Sequence, residues 1–274
     1  MTIQLHPGDV ERCSTHVDLP AKISFCDLRV SYATPQGEGV LVIDRFNLDI
    51  PAGQFVSIVG PSGCGKSTLL RVLSGLVPAS AGKALIDGRS FAHSRENVGF
   101  MFQRDTLLPW ASVADNIRVG AELSGRQDGN DAERRIIELI GFLKLDGFEH
   151  HKPHQLSGGM RQRVSLGRLL AYEPDIFLMD EPFGALDTQT KAAMGRELLR
   201  IWAHHQRSVI FVTHDIEEAV TLSDRVIVLS PRPGRIVLDL PIELKRPRDP
   251  KLLRKDPAYI DHVDRIWSRI EAAR

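Results

Sequence analysis

The chain has 274 residues, with 35 Lys+Arg against 35 Asp+Glu and a hydrophobic share of 42%. That length supports one large core or two tightly joined subdomains, and the balanced charge argues against a protein that coats nucleic acid or clings to anionic lipid through a basic field. No apolar run approaches the ~20 residues that cross a bilayer, and three widely spaced cysteines, Cys13, Cys26 and Cys64, suggest neither a disulfide framework nor a thiolate metal site.

Residues 1–21 carry Pro7, Gly8 and Pro20 without periodicity, together with Asp9, Glu11 and Asp18. They read as a loose leader rather than a secretory signal, which keeps the chain in the cytoplasm. From Lys22 onward Leu28, Val30 and Tyr32 alternate, as do Phe46, Leu48 and Ile50. The pattern predicts short half-buried antiparallel strands joined through the turn at residues 35–39. Gly82 and Gly88 bracket another short strand. Four continuous apolar stretches, Phe55 to Val59, Ile176 to Met179, Val209 to Val212 and Val226 to Leu229, lack that alternation because strands covered on both faces by crossover helices lose their polar side. They predict a parallel α/β core. Between them, over residues 104–172, Ile136, Ile137, Ile140 and Leu143 fall at helical spacing, which predicts an inserted helical subdomain. Near the C-terminus, residues 245–255 are rich in Lys and Arg and read as a solvated linker. Tyr259, Ile260, Val263, Ile266, Trp267 and Ile270 then share a stripe, predicting a terminal amphipathic helix that docks on the chain's own body.

The chemistry begins at Gly60, Pro61, Ser62, Gly63, Cys64, Gly65, Lys66 and Ser67, which match G-x-x-x-x-G-K-[ST] between an apolar strand and a helix start at Thr68. Glycines let the backbone wrap closely, and the helix N-terminus adds its positive end, so the loop suits a β/γ-phosphate pair. Lys66 supplies a point charge to the same oxygens, and Ser67 offers a hydroxyl to Mg²⁺. A second signal is the apolar strand ending in Asp180 and Glu181. Asp180 suits the magnesium side and Glu181 suits a general base that polarises the attacking water. A third is Ser157, Gly158 and Gly159 ahead of a helix, a second N-terminus able to receive phosphate, although an ordinary N-cap serine is the plainer reading of that segment alone. Cys64 reads as a small tolerated side chain, and His150, His151 and His154 with Glu149 as solvated loop residues.

The ordered set, phosphate loop, Gln103, Ser157-Gly-Gly, Asp180-Glu181, Asp187 and Thr213-His214, resembles the ATPase subunit of an ATP-binding cassette (ABC) transporter. The likeness runs over residues 22–240 and implies a P-loop NTPase core of mostly parallel sheet with helices, an N-terminal antiparallel β-subdomain and an inserted α-helical subdomain. Residues 241–274 then form a C-terminal linker and helix. The resemblance implies ATP and Mg²⁺ as cofactors, with Tyr32 stacking on adenine and Lys66, Glu181, His214 and Gln103 serving catalysis. Ser67, Gln103 and Asp180 fall on the metal, and Asp187 on a loop crossing a dimer. Ser157, Gly158 and Gly159 would touch the γ-phosphate held by the opposite subunit. Met160 stands where the family most often has Gln, at a position that does not contact phosphate.

One phosphate loop per chain implies a partner copy, most simply in a homodimer. The resemblance further implies two transmembrane permease subunits, an extracytoplasmic substrate-binding protein, no nucleic acid, and a peripheral place on the cytoplasmic face of the plasma (inner) membrane. The stretch Leu107 to Trp110, and the stretch Leu229 to Arg235, resemble importers of nitrate, sulfonate, taurine or bicarbonate. An exporter subunit, or a soluble ATPase acting on nucleic acid or ribosomes, remains the alternative at this stage. Leu107, Leu108 and Trp110 would form part of a groove for the permease, unless they are simple core packing of the helical insertion.

Overall fold

The computed structural model describes residues 21–33, 39–90, 98–125, 129–184, 186–205 and 207–273. The leader therefore lies outside the described residues except for Ala21, as do positions 35–38 of the expected turn. Two compact units emerge, Met1–His93 with Val212–Arg274, and Ser94–Phe211.

In the first unit β1 (Ala21–Ala33) and β2 (Gly39–Pro51) pair antiparallel. Both are 13 residues long, longer than the sequence pattern suggests. The alternation breaks where the register shifts between Phe25 and Leu28, at Asp27 with φ 43°, whose backbone N–H and carboxylate are both engaged by the Asn47 side chain at 2.8 Å. Phe25 and Phe46 meet edge to face across the pair, with ring centroids 5.2 Å apart. Beyond β3 (Phe55–Val59) and α1 (Lys66–Leu73), β4 (Ala81–Ile86) joins β1 antiparallel and pairs in turn with β5 (Arg89–Ser90).

The second unit holds β6 (Val98–Met101), α2 (Val113–Ser124), α3 (Gly129–Phe142), α4 (Gly158–Tyr172), β7 (Ile176–Asp180), α5 (Thr188–His205) and all of β8 (Ser208–Val212) but its last residue. There β7 lies between β6, its parallel partner, and β8. The helices approach closely: a methyl group on Gly120 of α2 would stand 2.1 Å from the Arg168 carbonyl of α4. Ile136 and Ile140 are buried as the spacing requires, but Ile137 faces water and Leu143 lies just past the end of α3.

The first unit resumes with α6 (Ile216–Leu222), β9 (Arg225–Leu229), β10 (Ile236–Pro241), α7 (Pro250–Leu253) and α8 (Pro257–Ala272). Within it β9 is parallel to β3 and antiparallel to β10. All five residues of β3, β7, β8 and β9 are buried, as expected of strands covered on both faces.

Two expectations about the C-terminus need correction. The stripe of α8 is narrower than drawn: Tyr259, Ile266 and Ile270 pack into a core with Val59, Val228 and Leu240, while Ile260 is 46% exposed and Trp267 48%. Docking on the chain's own body does occur. The basic run is not simply solvated either. Arg246 pairs with Asp224, and Arg248, buried at 5% exposure, donates to the carbonyls of Val220, Thr221, Ser223, Ile242 and Leu244. These oxygens include the last carbonyls of α6, which have no intrahelical partner. A cation with five rigid donors satisfies them where a linker would leave them bare. Among the described residues no helix is long and apolar enough to cross a membrane.

Candidate functional site

Each unit carries one group of the candidate residues. In the first, β3 runs buried into Gly60, and the chain turns through a loop closed by Cys64 N–H donating to the Pro61 carbonyl at 3.3 Å. Gly65 caps α1 at φ 107°, and a side chain there would meet Ile43 Cδ1 at 2.4 Å. Only glycine combines that dihedral with that clearance. Lys66 is 6% exposed, and its ammonium donates to the carbonyls of Gly60 at 2.8 Å and Pro61 at 3.1 Å. Among the described residues no carboxylate forms an ion pair with it. A buried cation held only by neutral dipoles is poised for an anion. Cys64 is fully buried, with its sulfur 3.9 Å from Lys66 Nζ. Burial pushes its thiol up against the lowering influence of the lysine charge, so it sits as an inert small side chain.

Tyr32, on β1, sets its hydroxyl 3.4 Å from Thr68 Oγ1, which places an aromatic ring beside the start of α1. Thr213 is pinned to β3 by its N–H donating to the Ile58 carbonyl at 3.3 Å. Its hydroxyl donates to Glu218 and accepts Asp215 N–H at 3.0 Å. His214, the next residue, is exposed, beside the end of β3 from which the phosphate loop departs.

In the second unit parallel pairing sets the geometry. Met101 is opposite Met179, so two residues further along each strand Gln103 and Glu181 come side by side. Gln103 Nε2 donates to Glu181 Oε2 at 3.1 Å. That turns the donor side of the amide to the carboxylate and leaves its carbonyl oxygen as the side able to ligate a hard cation. Asp180 is buried at the end of β7, and Glu181 adopts φ 45°, a left-handed conformation uncommon outside glycine. The break swings Glu181 off the strand axis, and the turn closes with Gly184 N–H donating to the Glu181 carbonyl at 3.1 Å.

Ser157 is the N-cap of α4, its hydroxyl accepting Met160 N–H at 3.2 Å. Asp187 caps α5 by accepting Thr190 N–H at 3.0 Å and Gln189 N–H at 3.1 Å. A hydrogen bond from the Thr190 side chain, ahead of those two backbone bonds, holds its carboxyl below the usual range. The structure thus pairs Gln103 with Glu181, while Ser157 and Asp187 each open their own helix. Gly159 packs against Leu186. Ala185 lies outside the described residues.

Sequence reading missed the residues that tie these parts together. Gln162 of α4, 5% exposed, donates to the Gln103 carbonyl at 3.1 Å, and Arg161 Nε donates to Asp105 at 2.8 Å. The sign available in the sequence was a glutamine at helical spacing from Leu166 and Leu169. Asn116, equally buried, brackets the Leu108 to Ser112 turn through both its amide groups. That turn displays Trp110 at 71% exposure while Leu107 is buried, so core packing accounts for Leu107 and not for Trp110. Among the described residues no cluster of metal-ligating side chains forms around His150, His151 or His154.

The family profile for "ABC transporter" matches residues 43–184. The taurine import ATP-binding protein TauB of Rhizobium johnstonii is 43% identical over 241 residues, covering 86% of this chain and 92% of that one. The aliphatic sulfonates import ATP-binding protein SsuB 1 of Mesorhizobium japonicum is 47% identical over 226 residues, 81% of this chain and 83% of its own length. Among solved structures, the dimeric post-hydrolysis state of the ATP-binding cassette MJ0796, bound to ADP and Pi, aligns with a TM-score of 0.74 at 30% identity. That alignment covers 81% of this chain and all of the other.

Proposed function

Since this chain belongs to the ABC transporter family of ATP-binding subunits, we propose that it powers an importer of a small sulfonate-type anion such as taurine or an alkanesulfonate. It is an ATPase of the P-loop ABC fold, and a coupled transport role accords with the two relatives whose own names specify import. The observation that carries the chemistry is Lys66, buried with its ammonium on the Gly60 and Pro61 carbonyls. Arriving β- and γ-phosphates replace those carbonyls with full negative charge, a gain that no neutral ligand offers.

In this reading Tyr32 stacks on the adenine and the phosphate loop wraps the phosphates. Ser67, the Gln103 amide oxygen and Asp180 would hold Mg²⁺. All three present hard oxygen donors of the kind that ion takes, and when bound it neutralises phosphate charge. Glu181 accepts a proton from water as the water oxygen bonds to the γ-phosphorus and the bond to the ADP oxygen breaks. His214 steadies the γ-phosphate. Gln103 steers Glu181 through the hydrogen bond between them, and Gln162 and Arg161 relay the position of α4 to the same segment.

Two copies would lie head to tail, each nucleotide between one chain's phosphate loop and the partner copy's Ser157 region, with Asp187 at the crossing. ATP then closes the dimer and its cleavage opens it, a ligand-driven shift between two states. Trp110 provides an exposed aromatic anchor for a permease, and the assembly would sit on the cytoplasmic face of the membrane with an extracytoplasmic binding protein delivering cargo. The test is uptake of labelled taurine or alkanesulfonate by the source cells, with the native chain replaced by Lys66→Ala. Loss of uptake supports the reading, and undiminished uptake contradicts it.

A further inference from the structure

The stretch Ser230 to Arg235 has no role in the chemistry above, yet it is built against the phosphate loop. Gly234 N–H donates to the Val42 carbonyl at 2.8 Å, and its own carbonyl accepts Asp44 N–H at 3.3 Å. The two bonds straddle Ile43 and form a parallel bridge with β2. The loop is fastened further by Arg235 N–H to Ser230 Oγ at 3.1 Å and by the Arg235 guanidinium on the Asp44 carboxylate. Asp44 is buried, so that ion pair is shielded at one end.

What this fastening holds in place is the contact on its other side. A methyl group on Gly234 would stand 2.1 Å from the Cys64 carbonyl oxygen, where Cβ atoms essentially never come under 3.0 Å. Gly234 does not have a positive φ, so an L-residue suits its backbone and only the closeness of Cys64 demands glycine. The Cys64 carbonyl and the Gly65 N–H belong to one rigid peptide plane. Displacing the oxygen therefore tilts an N–H at the heart of the phosphate loop. Gly65 is bounded on its other side by Ile43, the residue that Gly234 bridges.

We propose that Gly234, held by the Ser230–Arg235 loop, is a positioning residue that sets the Cys64–Gly65 peptide plane for phosphate binding. The proposal rests on the nucleotide reading of the phosphate loop. Its consequence is that nucleotide affinity responds to a site outside the loop, because Gly234 is locked by two backbone bonds and an added methyl group must push Cys64 in part.

The test is calorimetric titration of the full chain with MgADP, which involves neither turnover nor Glu181. Gly234→Ala should bind about tenfold or more weakly, the order expected when a charge-assisted hydrogen bond to phosphate is misaligned. Arg232→Ala, an exposed neighbour in the same loop, should bind like wild type. Leu238→Ala, which hollows the adjoining core, should lower the melting temperature and leave affinity within about twofold, separating positioning from general stability. Gly234→Ala binding within about twofold of wild type, measured well below its melting point, overturns the proposal. Should Gly234→Ala not fold, Arg235→Ala decides instead. Faster amide exchange at Gly65 with about threefold weaker binding supports the brace, and no change in either refutes it. Failure of the wild-type chain to bind MgADP removes the nucleotide reading and this proposal with it.

Discussion

Arg248→Met is a demanding check on how the C-terminal segment is held. The guanidinium donates to five carbonyls, those of Val220, Thr221, Ser223, Ile242 and Leu244, at 2.6 to 3.2 Å. Methionine approximates the length of the side chain and removes every donor. A hydrogen bond to a charged group contributes ~1.5–3 kcal/mol, and relaxation or entering water recovers part of the set, so a net loss of about 4 kcal/mol is expected. Against a total stability of ~5–15 kcal/mol, that should lower the melting temperature by roughly 8–16 °C. Thermal unfolding followed by circular dichroism reads it directly. Burial, with repulsion from Arg246 and partial relief from Asp224, pushes the Arg248 pKa down to about 10. A melting temperature within about 2 °C of wild type would refute the reasoning, because it would mean that water or neighbouring groups satisfy those carbonyls equally well.

Glu181→Gln should bind ATP normally, turn over ~10²–10⁴-fold more slowly and accumulate as a closed dimer; single-turnover hydrolysis and gel filtration with ATP check it, and near-normal turnover removes the general-base assignment. Tyr32→Ala should raise the KM for ATP by roughly tenfold, as expected of a lost stacking contact, while leaving kcat within about twofold in steady-state assays. Burial alone would raise the Asp44 carboxyl, but Arg235, Arg29 and Arg45 hold it below its usual 3.8. A depressed carboxyl stabilises above its unfolded pKa and loses that contribution as pH falls through the lowered value. In urea titrations the stability gap between wild type and Asp44→Asn should thus be full at neutral pH and close below 3.8.

The parts legible in the sequence were those in which a local pattern has one physical cause. The buried strands β3, β7, β8 and β9 have no polar face to hide, and the phosphate-loop motif is written in eight consecutive residues, Gly60 to Ser67. The full length of β1 was not readable because the irregularity at Asp27 resets the alternation. Helix α5 escaped notice because its buried apolar side chains, Met194 and Leu198, are thinly spread. The basic run misled for a different reason. Charge in sequence signals solvent only until tertiary structure supplies a ring of unpaired carbonyls, and the ring around Arg248 is assembled from α6 and from residues before the run itself. The same holds for Gly234, whose need for glycine arises from Cys64, some 170 residues earlier.

The central claim is that catalysis belongs to a pair of chains. Initial-rate ATP hydrolysis by the purified protein, taken over a wide range of protein concentration, probes it most directly. Specific activity that climbs with concentration and then levels off is the predicted result, since each half-site must find its complement. A specific activity that stays flat down to concentrations where only single chains sediment would contradict it.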